Sequence, residues 1–283
     1  MKNILVPTDF SDEAKNALKF AVKIAHAIHG KIILLHTISP IFIMTDMGAF
    51  SYPDPDEKAY AYSLDEEMKK QVAFVENQNV AVEKIIEKGL LEYDVADLVN
   101  KLKIDLVVTG TSGAKGLEAF LFETNSERIF EKVSCPVLII PAEASYHGIH
   151  KIMYATDFQY KDIHELSKVV QLARPFNAQI VVTHVDRELD KFIEEDDTQD
   201  WFSEIGETNI NYKNIIYKRF FGQNINDTLV NATQKMDVNI LCMSKAERGF
   251  IKDLFHQSNT RKMAFHTTIP LMLLHLSENN KLK

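Results

Sequence analysis

The sequence predicts an α/β fold of two tandem doubly wound domains, each a five-stranded parallel sheet flanked by helices. Short β-branched runs alternate with longer helical patterns, which is typical of βαβ units. The whole arrangement also occurs twice along the 283 residues, a length that suits two domains with a core each. We therefore predict an N-terminal domain at residues 1–145 and a C-terminal domain at 150–278.

The internal repeat shows in four pairs of segments. Asp9 returns 148 residues later as Asp157 (157 − 9 = 148), and His36 returns as His184 at the same offset. Later the offset falls to 134, so the second copy is about fourteen residues shorter (148 − 134 = 14). The pairs are KNILVPTDFS with KIMYATDFQ, KIILLHT (31–37) with QIVVTHV (179–185), KIDLVVTG (103–110) with KMDVNILC (235–242), and CPVLIIP (135–141) with IPLMLLH (269–275).

Each element of the first copy is predicted from its own pattern. Nearly continuous apolar runs predict buried strands near 2–7, 31–37, 79–86, 104–109 and 136–140. Helical periodicity predicts helices near 12–29, 57–77, 91–102 and 124–133, and the first has an apolar stripe of Ala14, Leu18, Ala21, Val22 and Ala25. Ligands of such folds bind beyond the carboxyl ends of the strands, where the strand order reverses. We expect the first and fourth strands to be neighbours there.

Composition and charge exclude several classes of protein. Apolar residues make up 46% and charged residues 25%, as in globular proteins, and no apolar run is long enough to span a membrane. A net charge of −8 argues against broad contact with nucleic acid. The N-terminus lacks an apolar secretory segment, and the two cysteines, Cys135 and Cys242, adjoin predicted strands. We therefore expect a cytoplasmic protein without a disulfide framework.

A glycine-rich segment, GTSGAKGLEAFLFETNS, follows the fourth strand at residues 110–126. Its spacing matches neither of the two common phosphate-binding motifs. One interpretation is an anion nest of backbone N–H groups facing the N-terminus of the next helix, which the residues at 124–126 would cap. The other interpretation is a tight turn followed by an ordinary helix cap. Spacing alone leaves both interpretations open.

Four features together resemble the universal stress protein family. They are the segment VPTDFS, the glycine-rich segment with its nine-residue spacer, the Thr-Asn-Ser cluster and the closing CPVLIIP. The resemblance covers essentially the whole chain, as a tandem member. It implies a Rossmann-like fold of the adenine nucleotide alpha hydrolase type and an adenine nucleotide, ATP or AMP, as ligand. It implies no catalytic residue and no metal ligand. The nucleotide-binding residues that it implies are Pro7, Thr8, Asp9, Thr37, Gly110, Ser112, Gly113, Gly116, Glu123, Thr124, Asn125 and Ser126.

Glu123 stands where the family motif has its last glycine. Its carboxylate would repel ATP more than AMP, unless Lys115 or a Mg²⁺ ion bridging Glu123 and the phosphates offsets the repulsion. Alternatively, Glu123 faces solvent beside a helix N-terminus. The second copy reads CMSKAERGFIKDLFHQSNT at the corresponding place and lacks most of the glycines, so we expect no nucleotide site there and interpret Asp157 as a turn or cap residue.

These observations predict a stress-response protein that binds an adenine nucleotide in its N-terminal domain and acts as a binding or signalling module. Two alternatives remain: a ligand-free scaffold that acts through protein partners, and a weak ATPase, for which no catalytic base or metal-binding carboxylate pair is evident. A homodimer and an unidentified protein partner are further expectations. The apolar loop at 39–59 is interpreted as a lid, a subunit contact, or padding over the domain's own core.

Overall fold

The computed structural model describes residues 1–39, 42–45, 48–51, 57–111, 125–157, 160–186, 204, 210–244 and 269–275. The chain forms two compact units. The first contains Met1–Ser112 and Glu123–Val137, and the second contains Leu138–Lys283. The boundaries at 1–145 and 150–278 stay a prediction. Each unit has the predicted α/β architecture of parallel strands flanked by helices. Within the described ranges, no helix combines the length and the apolar character needed to cross a membrane.

In the first unit, the parallel strands run in the order β6-β1-β2-β5, so the first and fourth predicted strands are indeed neighbours. The predicted apolar stripe of α1 is buried throughout. The elements are β1 (Asn3–Pro7), α1 (Asp12–Ile28), β2 (Lys31–Ile38), β3 (Phe42–Thr45), β4 (Gly48–Ser51), α2 (Glu57–Glu76), β5 (Ala81–Lys88), α3 (Leu91–Lys101), β6 (Leu106–Gly110) and α4 (Asn125–Lys132), and β7 (Val137–Ile140) follows.

Two details of the first unit differ from the prediction. β5 was expected to be a buried apolar strand, but it is an edge strand whose sequence, AVEKIIEK, is largely exposed. Charged side chains on an edge strand discourage further strand pairing, which explains the composition. In addition, β3 and β4 pair as an antiparallel hairpin within the 39–59 loop, for which no regular structure was predicted.

The second unit repeats this arrangement. The strands are all parallel and run in the order β10-β9-β8-β11-β12. The elements are β8 (Lys151–Ala155), α5 (Tyr160–Ala173), β9 (Gln179–Asp186), β10 (Ile215–Phe221), α6 (Ile225–Lys235), β11 (Ile240–Ser244) and β12 (Leu271–Leu274).

Equivalent hydrogen bonds in the two units correct one of the repeat alignments. Oδ2 of Asp105 accepts from two backbone N–H groups at the start of β1, at 2.6 and 2.9 Å. Oδ1 of Asn239 accepts from the two equivalent N–H groups at the start of β8, at 2.7 and 2.9 Å. The offset here is therefore 134 (239 − 105 = 134), and the alignment of KIDLVVTG with KMDVNILC, which pairs Asp105 with Asp237, is wrong by two residues. Asp237 corresponds instead to Lys103, and both have left-handed φ angles, 53° and 50°.

Candidate functional site

A pocket of about 290 Å³ opens in the first unit beyond the carboxyl ends of β1, β2 and β6. This is the edge at which doubly wound sheets bind their ligands. Five of the predicted site residues, Ser112, Gly113, Gly116, Glu123 and Thr124, lie outside the described residues. The other seven all line the pocket: Pro7, Thr8, Asp9, Thr37, Gly110, Asn125 and Ser126.

The turn between β1 and α1 forms one wall of the pocket. The N–H of Thr8 donates to the carbonyl of Leu35 on the neighbouring strand at 2.8 Å, and Thr8 Oγ1 accepts from the N–H of Phe10 at 3.1 Å. Oδ1 of Asp9 accepts from the N–H of Ser11 at 3.0 Å and from its hydroxyl. Ser11 in turn caps α1, because its Oγ accepts from the N–H of Ala14 at 3.1 Å. Oδ2 of Asp9 is therefore the carboxylate oxygen left for a ligand.

Gly110, the last residue of β6, packs directly on the first turn of α1. An ideal Cβ at this position would lie only 2.6 Å from the carbonyl oxygen of Glu13 and 2.8 Å from its carbonyl carbon. The space for a side chain is thus taken by helix backbone, which cannot yield as the end of a flexible side chain can. The first glycine of the motif therefore has a packing role in addition to any role towards a ligand.

The N-terminus of α4 forms another wall of the pocket. Ser126 is buried, and its hydroxyl donates to the carbonyl of Gly110 at 3.0 Å, which fixes the start of the helix to the end of β6. Helix N-termini carry partial positive charge and attract anions. Arg128 also lines the pocket, one turn beyond Asn125. This arginine was not predicted as a site residue, although a residue four positions after the predicted helix start at 124 lies on the same face.

β2 contributes two polar side chains at its carboxyl end. Nδ1 of His36 lies 2.8 Å from the carbonyl oxygen of Thr8, and the imidazole stacks on the ring of Phe10 with centroids 4.7 Å apart. Next to it, Thr37 was predicted and His36 was not. The recurrence of this histidine as His184 in the repeat was a signal that could have identified it.

Charges of both signs surround the pocket. Asp9, Glu13 and Glu92 supply carboxylates, and Arg128 supplies a cation. No group of three or more histidine, cysteine, aspartate or glutamate side chains within the described part of the chain is arranged to hold a metal ion. The described walls therefore suit a ligand with hydrogen-bonding groups and an anionic end near α4.

The second unit has different side chains beneath the corresponding edge of its sheet. Tyr154, at the position of Val6 (154 − 148 = 6), is fully buried, and its hydroxyl donates to the carbonyl of Asp162 at 3.2 Å. The same hydroxyl lies 2.8 Å from Oγ of Ser244, which stands at the position of Gly110 (244 − 134 = 110). Burial raises the pKa of Tyr154 well above its usual value, so the hydroxyl stays neutral.

Further polar residues support this tyrosine beneath the edge of the second sheet. Oδ2 of Asp162 accepts from the hydroxyl of Thr156 at 2.7 Å. Glu165 is fully buried and pairs with Nζ of Lys168 at 2.8 Å. The first copy has apolar side chains at the positions equivalent to Asp162, Glu165 and Lys168. Those three positions are Ala14, Ala17 and Phe20.

Comparisons with known proteins agree with this architecture. A family model described as the universal stress protein family matches residues 1–141. A universal stress protein of Helicobacter pylori is 31% identical over 144 residues, which cover 48% of this chain and 98% of that protein. Another from Methanocaldococcus jannaschii is 28% identical over 141 residues, covering 49% of this chain and 81% of the relative. Among solved structures, a universal stress protein from Archaeoglobus fulgidus has the same fold, with a TM-score of 0.73, 14% identity, and coverage of 98% of this chain and 97% of that one.

Proposed function

This chain belongs to the universal stress protein family, and we propose that it is a cytoplasmic stress-response protein that binds an adenine nucleotide in the pocket of its first unit. One observation carries the proposal: all seven described residues that the family motif implies line a single pocket at the carboxyl edge of the sheet. They come from four separate segments of the chain, so their meeting at one pocket does not follow from proximity in sequence.

The chemistry of the walls supports a nucleotide. Oδ2 of Asp9 provides a charged acceptor for ribose or base donors, and hydrogen bonds to charged groups are among the strong ones. The N-terminus of α4 and Arg128 provide positive potential for a phosphate. A volume of about 290 Å³ is close to the lower limit for small-molecule pockets, roughly 300–1,000 Å³, and so fits a small ligand.

Binding is confined to the first copy in this proposal. In the second copy, Tyr154 and Ser244 stand at the positions equivalent to Val6 and Gly110, and their hydroxyls form a hydrogen bond. Ser244 thus places a side chain where the first copy has the first glycine of the motif, and its hydroxyl is already engaged by Tyr154. The second copy is thus a degenerate, structural domain, and the protein acts as a binding or signalling module.

Paired substitutions in the full chain test the proposal. Asp9→Ala removes the acceptor and Gly113→Val blocks close approach of the backbone, so each should weaken AMP or ATP binding at least about tenfold, roughly 1.4 kcal/mol. Asp157→Ala is the matched control, because Asp157 is the equivalent of Asp9 in the second copy. Isothermal calorimetry gives the affinities, and native mass spectrometry of gently purified protein shows a co-purifying nucleotide and any dimer.

The outcomes separate the proposed function from its alternatives. Loss of binding in Asp9→Ala with normal binding in Asp157→Ala supports a site in the first copy. Intact binding after both first-copy substitutions, or loss on Asp157→Ala alone, contradicts the assignment. A wild-type chain that binds no adenine nucleotide would instead support the ligand-free scaffold, and multiple turnover of ATP would support the weak ATPase.

A further inference from the structure

The imidazole of His36 has one nitrogen in use and one without a partner. Nδ1 lies 2.8 Å from the carbonyl oxygen of Thr8, and a carbonyl only accepts, so Nδ1 carries the proton of this hydrogen bond. In the neutral ring Nε2 is then an acceptor. His36 is only 7% exposed and lines the pocket, yet Nε2 has no hydrogen-bond partner among the described residues.

The side chain of the next residue also carries a polar atom without a described partner. Oγ1 of Thr37 is buried, and it has no hydrogen-bond partner within the part of the chain that the structure describes. Two adjacent residues at the end of β2, both of which line one pocket, therefore each carry a buried polar atom without a partner among the described residues. Buried polar atoms without partners are unfavourable, and a ligand that pairs with them recovers that free energy on binding. Stacking on Phe10 fixes the orientation of the His36 ring beforehand.

The equivalent histidine of the second copy, His184, has a different environment. Nδ1 of His184 again lies 2.8 Å from a backbone carbonyl, that of Thr156. There, however, Nε2 lies 3.6 Å from Oδ1 of Asp186, a carboxylate from its own chain. The residue equivalent to Asp186 in the first copy is Ile38 (186 − 148 = 38), which offers no polar group. The chain thus supplies a polar neighbour to this nitrogen in the second copy, and none among the described residues of the first.

We propose that Nε2 of His36 selects ligands that present an N–H or O–H donor to the end of β2. This inference rests on the proposed nucleotide function and adds a specificity-determining residue to it. An adenine nucleotide has two sources of such a donor, the exocyclic amine of the base and the ribose hydroxyls. A phosphate or carbonyl oxygen at the same place would set two acceptors against each other and is disfavoured.

Donor-deleted analogues of AMP test this selection by calorimetry on the full chain. Purine riboside 5′-monophosphate lacks the exocyclic amine, and 2′-deoxy-AMP and 3′-deoxy-AMP each lack one ribose hydroxyl. We expect wild-type protein to bind one of these analogues about tenfold more weakly than AMP. Because Asp9 also accepts from ribose or base donors, the critical analogue is the one whose discrimination is lost in His36→Asn. If all three analogues bind as tightly as AMP, the inference is wrong.

Two substitutions of His36 separate recognition from mere support of the Thr8 carbonyl. The amide of His36→Asn can still donate to that carbonyl but has no atom at the position of Nε2, whereas the amide of His36→Gln reaches the position of Nε2. We expect His36→Asn to abolish the discrimination between AMP and the critical analogue, and His36→Gln to retain part of it. The reverse pattern would assign His36 a purely structural role. His184→Asn, the matched control, should leave the affinity ratio unchanged.

The design distinguishes failure of this inference from failure of the proposed function. If the wild-type chain binds neither AMP nor ATP, the nucleotide site itself is refuted and the inference falls with it. If AMP binds and Asp9→Ala weakens it, but His36→Asn leaves the discrimination intact, only the role of Nε2 is refuted. Circular dichroism of each variant establishes that it is folded before its affinities are compared.

Discussion

Substitution of Gly110 by alanine tests the packing of β6 on α1, on which the shape of the pocket depends. An ideal Cβ would lie 2.6 Å from Glu13 O, and such contacts are essentially never shorter than 3.0 Å, so the strand and helix must separate by at least 0.4 Å (3.0 − 2.6 = 0.4). Strain from overpacking of this kind typically costs about 1–3 kcal/mol. We therefore expect Gly110→Ala to destabilise this part of the first unit and to weaken nucleotide binding, because the displaced turn carries Asp9.

Hydrogen exchange of the full chain, followed by mass spectrometry, measures this effect locally. A loss of about 1–3 kcal/mol should accelerate exchange in α1 and β6 roughly 5- to 150-fold. Peptides from β8 and β11 serve as an internal control, and Thr111→Ala is the matched variant, because it alters the next residue without adding a Cβ beside Glu13. The packing argument is refuted if exchange in α1 and β6 is unchanged, or if Thr111→Ala has the same effect as Gly110→Ala.

Three further predictions concern residues in both copies. Glu123→Gly should raise the affinity for ATP more than that for AMP, since two unit charges about 4 Å apart repel by roughly 1 kcal/mol even in water. Calorimetry with and without Mg²⁺ checks this. An unchanged ratio of ATP to AMP affinity indicates a solvent-facing glutamate, and selective loss of Mg-ATP binding indicates a metal ligand. Asp105→Ala and Asn239→Ala each remove the acceptor of two backbone N–H groups, so each should destabilise its own unit by about 1–3 kcal/mol, visible as faster hydrogen exchange in that unit only. Lys168→Met should destabilise the second unit by roughly 3 kcal/mol, because it removes the cation beside buried Glu165. The double variant with Glu165→Gln should recover part of the lost stability, as measured by thermal unfolding. No recovery would contradict this pairing.

The secondary structure was predictable because its determinants are local. The cap at Ser11 and the apolar stripe of α1 are both set by spacing along a short segment, and the predicted helices and strands of the first copy agree with the observed ones to within a few residues. The repeat was likewise visible as paired strings, and it carried Asp9 and His36 onto Asp157 and His184 correctly. The candidate site was located from a resemblance whose motif residues follow strand ends, where parallel sheets bring distant segments together.

Tertiary structure decided the features that depend on which distant residues meet. The exposure of β5 follows from its place at the sheet edge, and the true register of the second repeat follows from hydrogen bonds of Asp105 and Asn239 to the starts of other strands. The same applies to the side chains beneath the two sheet edges. Sequence shows a tyrosine, a serine and two histidines, but only packing brings the hydroxyls of Tyr154 and Ser244 together in the second copy and leaves Nε2 of His36 without a partner among the described residues of the first. A hydrogen bond is made or lost over a few tenths of an ångström.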